Sequence, residues 1–134
     1  MFETKSRVRY VETDQMGVAH HSVYLYWFEI GRTELLKSIG YNYALLEKNG
    51  LLLPVLHVEI RYFRSLFYDE EISIRVRILK IKKFKIEFEY TLLKENGETA
   101  AIGTTTLGIV DSDFKPKEIE KNLIQKLKQF LKKE

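Results

Sequence analysis

The 134 residues contain no cysteine. That excludes a disulfide framework, a cysteine nucleophile and thiolate-rich metal sites, and it fits a reducing compartment. No apolar run approaches the roughly 20 residues a membrane-spanning helix needs. The opening stretch, Met1 to Tyr10, alternates charged and apolar residues and has no apolar signal-peptide core. The expectation is a soluble, cytoplasmic protein with no membrane insertion. Low-complexity tracts are missing, and so is any recognised DNA- or RNA-binding motif, so no nucleic-acid partner is expected. Excess charge of one sign is missing too: 22 Lys and Arg stand against 19 Asp and Glu, a formal +3. Positive charge is concentrated in two places, Lys80, Lys82, Lys83 and Lys85, and the tail from Lys115 to Lys133. The first suits a small ligand carrying several phosphates; either also serves as a solvated face. Histidine is scarce. His20 and His21 are adjacent rather than at i, i+4, and His57 lies in a strand pattern, so neither a metal nor any other cofactor is expected.

What is present describes one domain. Hydrophobic residues make up 45% of the chain and charged ones 31%, ordinary for a globular fold of this length. No linker or internal repeat divides it. Phe2 to Val11 reads as a strand, with Phe2, Thr4, Ser6, Val8 and Tyr10 on one side. Glu12 to Gly17 is a polar break. A helix follows from about Ser22, which can cap it, to Ser38, with Gly40 as its stop. Tyr24, Tyr26, Trp27 and Phe28 cover most of its circumference, which predicts burial nearly all round. A short helix fits Tyr43 to Lys48.

The period then changes to two. Val55 to Phe63, Ile72 to Ile78, Phe84 to Leu92 and Ala100 to Val110 read as strands, with type I′ hairpin chemistry at Asn96-Gly97. From Pro116 onward Ile119, Leu123, Ile124, Leu127, Phe130 and Leu131 recur at helical spacing. The order predicts an α+β fold: an antiparallel sheet of about five strands around one long helix, plus a C-terminal helix. Such a sheet leaves open edges, which predicts a homo-oligomer.

The segment from Tyr10 to Glu34 concentrates chemistry. A helix N-terminus offers unpaired N–H groups and partial positive charge. It can hold a carbonyl oxygen as that oxygen becomes negative, and acyl transfer needs this plus a carboxylate or base near the carbonyl carbon. Asp14, a few residues ahead of the helix, can fold back toward that point. An Asp here also serves as a turn or capping residue, Gly17 as a turn glycine, and the histidines as surface or capping groups.

The pattern Tyr10, Asp14, Gly17-Val18, His21, Tyr24 and Arg32-Thr33-Glu34 resembles the 4-hydroxybenzoyl-CoA thioesterase family, including its Tol–Pal-associated acyl-CoA thioesterases. The resemblance extends over nearly the whole chain, through Val58 to Phe63, Tyr68-Asp69-Glu70 and Lys82-Lys83. It implies a hot-dog fold, acyl-CoA as substrate, and active sites at a subunit interface of a dimer or a dimer of dimers, a homotetramer. It implies that Asp14 is nucleophile or general base, and that the helix start around His21 polarises the thioester carbonyl. Tyr10 and the His21 side chain position substrate or water. Gly17, Val18, His20 and Tyr24 line the substrate, and Lys82 and Lys83 meet the CoA phosphates. Met16 and His20 depart from the residue types usual in that family. The alternatives are a non-hydrolytic acyl-CoA-binding protein and a hot-dog dehydratase or hydratase.

Overall fold

A computed structural model of the chain describes residues 1–133. Its strands are β1 (Phe2–Arg7), β2 (Val55–Tyr62), β3 (Glu71–Ile81), β4 (Lys85–Leu93) and β5 (Thr99–Gly108). Its helices are α1 (Tyr24–Ser38), α2 (Tyr43–Lys48) and α3 (Lys121–Leu127), with 3₁₀ turns at Tyr10–Glu12, His21–Val23 and Lys128–Phe130. The strands form one antiparallel sheet in the order β1-β3-β4-β5-β2. This is the predicted α+β arrangement.

The two-residue period sets the inner face. Ile72, Ile74, Val76 and Ile78 of β3 and Ile86, Phe88, Tyr90 and Leu92 of β4 are all buried. The outer face carries ion pairs such as Glu3–Arg75 and Arg77–Glu89. α1 lies close against the inner face because glycine permits it. A Cβ on Gly31 would come within 2.8 Å of the Ile74 and Val76 methyls. Across the sheet, a Cβ on Gly103 would meet the Phe28 ring at 2.4 Å, and that ring stacks on Tyr90 at 4.4 Å.

Four expectations change. β1 ends at Arg7, and Tyr10 lies in a 3₁₀ turn instead of the strand. α1 buries one face only: Tyr24, Trp27, Phe28, Leu35 and Leu36 point inward, while Leu25 and Tyr26 are exposed. The Asn96-Gly97 hairpin is not type I′, because Gly97 alone has positive φ, at +87°. Gly97 N–H donates to the Lys94 carbonyl and Lys94 N–H to the Glu98 carbonyl, both at 2.9 Å. That is a type I turn closed by a glycine bulge. The C-terminal helix is also shorter than its apolar stripe. Pro116 and Lys117 first run alongside Val110 and Ile109, and helix forms only from Lys121.

The stop at Gly40 holds. Gly40 N–H donates to Lys37 and Tyr41 N–H to Leu36, a Schellman end with Gly40 at φ +90°. Among the described residues no helix is long and apolar enough to cross a membrane.

Candidate active site

Asp14 sits in a two-limbed loop, with Thr13 bridged to Ala19 across it. Asp14 N–H donates to the Val18 carbonyl at 2.9 Å and Gly17 N–H to the Asp14 carbonyl at 3.0 Å. Gly17 turns the chain at φ +79°, a region in which a side chain is strained. The root is closed by His20 N–H donating to the Glu12 carbonyl at 2.9 Å. The loop is then tied to the β2–β3 connection: Ala19 N–H reaches Leu66 at 2.8 Å, and Tyr68 N–H reaches Gly17 at 3.1 Å.

Within this frame the Asp14 carboxylate is used unequally. Oδ1 accepts from Met16 N–H at 2.8 Å and, more weakly, from Val18 N–H at 3.4 Å. Oδ2 has no hydrogen-bond partner among the described residues. The turn role and the chemical role therefore do not compete, since one oxygen orients the side chain and the other stays available.

The helix start is built differently from the expectation. The cap is His20, not Ser22. His20 is extended (φ −66°, ψ 142°), and its Nδ1 accepts from Ser22 N–H at 3.2 Å and lies 2.8 Å from Ser22 Oγ. In the neutral ring the proton then sits on Nε2. Because His20 precedes the helical turn, the two histidine rings do not splay by a helical angle; they lie 4.2 Å apart, tilted by 33°. His21 N–H has no hydrogen-bond partner among the described residues, so it remains an open donor at the positive end of α1.

Beside it lies a cleft of about 270 Å³ lined by Ala19, His21, Tyr24, Tyr62, Arg64 and neighbours. Tyr62 Oη donates to the His21 carbonyl at 3.0 Å and so fixes the peptide next to the open N–H. Tyr24 and Tyr62 meet edge to face at 4.8 Å. Burial pushes the Tyr24 phenol up, with Tyr62 and Glu70 adding to it, so it stays a neutral donor at neutral pH. Tyr62 and Glu12 were invisible to motif reading. Tyr62 lies far along the chain on β2, and Glu12 is one polar residue among several in the break before the helix.

His21 and Tyr24 line this cleft with Tyr62, while Asp14, Gly17, Val18 and His20 lie outside its lining, on the loop and cap that lead into the helix start. Tyr10 sits at the margin, 78% exposed and edge-on to Tyr68 at 5.7 Å. Lys82 and Lys83 do not join them. They occupy the β3–β4 tip, the length of the 11-residue β3 away, roughly 35 Å at 3.3 Å per residue. Lys83 pairs there with Glu118 at 3.1 Å. A single chain therefore does not place these lysines beside Asp14. Among the described residues no cluster of three or more His, Asp or Glu could hold a metal ion.

A five-stranded sheet wrapped on one long helix defines a class of fold, and the relatives agree with it. A family model described as the Thioesterase-like superfamily matches residues 8–127, and the chain belongs to that superfamily. It is 39% identical over 115 residues to the "Putative acyl-CoA thioesterase YneP" of Bacillus subtilis (strain 168), a match covering 85% of this chain and 83% of that protein. It is 29% identical over 124 residues to the acyl-CoA thioesterase YbgC of Haemophilus influenzae, covering 89% and 91%. The crystal structure of the DHNA-CoA thioesterase from Staphylococcus aureus superposes with a TM-score of 0.89 at 31% identity, over 95% of this chain and 88% of that one. The fold is therefore the hot-dog fold. These matches do not single out the 4-hydroxybenzoyl-CoA or Tol–Pal type within the superfamily.

Proposed function

We propose that this protein hydrolyses the thioester of an acyl-CoA to the free acid and CoA. One observation carries the reading: Asp14 keeps one carboxylate oxygen free on a loop pinned to a helix start whose His21 N–H is an open donor. In hydrolysis the thioester carbonyl oxygen takes the His21 N–H and gains charge there. Asp14 either removes a proton from the attacking water or attacks the carbonyl carbon itself, forming an anhydride that water then opens. The thiolate of CoA leaves and takes up a proton. Tyr10 and the His21 ring position water or substrate, while Gly17, Val18, His20 and Tyr24 shape the walls.

The reading includes a homodimer, with a dimer of dimers as its further step. β2 is an edge strand, and Val55, Leu56, Tyr62 and Phe63 at its ends are exposed. A two-fold axis across that edge pairs β2 antiparallel with its copy. The Lys82–Lys83 end of the second sheet then comes beside the Asp14 end of the first. In that arrangement the lysines meet CoA phosphates across the interface.

A non-hydrolytic acyl-CoA binder needs no available carboxylate at the helix start. A dehydratase or hydratase needs an acid–base pair facing the acyl chain, for which His21 with Glu29 or Glu34 would serve. The test is release of free CoA thiol from short, medium, long and aromatic acyl-CoA substrates, beside the Asp14→Ala protein. Turnover that vanishes in Asp14→Ala is expected. Equal turnover in the variant sinks the reading, and water addition to an enoyl-CoA without thiol release supports the hydratase.

A further inference from the structure

Glu12 is a buried carboxylate to which the proposed chemistry gives no role. Its exposure is 6%, and its one cation partner among the described residues is Arg9. Burying a carboxylate is costly unless both oxygens are bonded. Both are. Oε1 accepts from Arg9 N–H at 2.7 Å and Oε2 from Arg9 Nη2 at 3.2 Å. The Arg9 side chain itself is largely in solvent. Glu29 and Glu34 line the same groove of about 560 Å³ and add like charge, against which Arg9 is the groove's one cation among the described residues.

The geometry assigns Glu12 as the positioning residue for Asp14, acting through the backbone at the root of the loop; this rests on the proposed role of Asp14. The carboxylate folds back onto Arg9 N–H and tightens the 3₁₀ turn Tyr10–Glu12. That turn ends β1 and swings the chain toward α1. From the same residue, the Glu12 carbonyl takes His20 N–H at 2.9 Å. Glu12 therefore ties the limb that leads to Asp14 to the limb that leads to His21. Two residues on, Asp14 N–H and the Val18 carbonyl repeat the tie. The distance between the free Asp14 oxygen and the open His21 N–H is set by the shape of this root. A displacement of about 1 Å between reacting groups costs about 10²-fold in rate.

The role is geometric, so length should matter more than charge. Glu12→Gln keeps an oxygen for Arg9 N–H at the same reach, and its kcat should fall by less than about fivefold. Glu12→Asp keeps the charge but is one methylene short, and its kcat should fall by about tenfold or more. Glu12→Ala should lose about 30- to 100-fold in kcat, with KM and the dissociation constant for free CoA within about twofold of the parent. Arg9→Ala retains the backbone N–H and should stay within about threefold. Each kcat is taken per folded protein, at a temperature well below the variant's melting point.

The inference is overturned if Glu12→Ala keeps the parental kcat, if KM rises in place of the fall in kcat, or if Glu12→Asp is faster than Glu12→Gln. Should Glu12→Ala not fold, the order of the Gln and Asp variants decides. Asp14→Asn is run beside them. If Asp14→Asn turns over normally, the proposed chemistry has failed; if it is inactive while Glu12→Ala is fully active, only the role of Glu12 has failed.

Discussion

The two ends of the sheet are built on opposite principles. At the end that carries Asp14, charges are engaged. Glu70 receives Lys94 Nζ at 3.0 Å in a mostly buried pair, and Arg7 reaches Asp69, Glu71 and Glu95. At the β3–β4 end only Lys83 has a carboxylate partner among the described residues; Lys80, Lys82 and Lys85 have none. Paired charge at one end fixes geometry. Unpaired charge at the other is available to a ligand. The difference teaches where orientation matters and where attraction suffices.

The sharpest way to break this contrast is to remove the charge that the rigid end holds in place. Asp14→Asn keeps the shape and the Met16 N–H acceptor while losing the negative charge on which the proposed hydrolysis depends. Thiol release should fall by about 10³-fold or more with folding intact, and single-turnover rates with unchanged circular dichroism check it.

Next comes the frame. Glu70→Gln should cost about 2 kcal/mol at neutral pH, read from urea unfolding, because it removes a hydrogen-bonded charge from a mostly buried site. The pH sign follows. Burial works against the Glu70 charge, but hydrogen bonds from Lys94 and from the Phe67 and Glu95 amides outweigh it and hold the carboxyl below its ordinary value of 4.5. Its stabilisation is therefore complete above about pH 4.5 and is lost as pH falls through the lower folded value. The gap between parent and Glu70→Gln should narrow on acidification; a constant gap would contradict the assignment.

At the open end, replacing Lys82 and Lys83 together by alanine should raise KM for acyl-CoA about fivefold and leave kcat unchanged. Added salt should erase the difference, because exposed charges are screened within a Debye length of about 8 Å at physiological ionic strength. A drop in kcat would move these lysines into the chemistry.

The smallest effect belongs midway along the sheet. Glu3→Gln removes an exposed pair with Arg75 and should change stability by no more than about 0.5 kcal/mol in thermal unfolding.

Much of this was legible in the chain. The alternation in β3 and β4 gave the inner face, and the polar break from Glu12 to Gly17 gave the loop ahead of α1. The errors have physical causes. Tyr10 kept the alternation of β1, but the Glu12 carboxylate captures Arg9 N–H and ends the strand first. Ser22 is a better cap by type, yet a 3₁₀ turn opens one residue earlier at His21, and His20 Nδ1 caps it by accepting from Ser22 N–H. The expected burial of Tyr26 fails because composition cannot tell which side of a helix meets a sheet.

The sequence alone determined the elements, their order and the chemical groups ahead of α1, because period, turn chemistry and helix stops act over a few neighbouring residues. Only the tertiary structure decided which Asp14 oxygen stays free, that Tyr62 braces the His21 peptide, and that Lys82 and Lys83 stand a strand's length from the carboxylate. Those are outcomes of strand order and register, which join residues dozens of positions apart and leave no local mark in the chain.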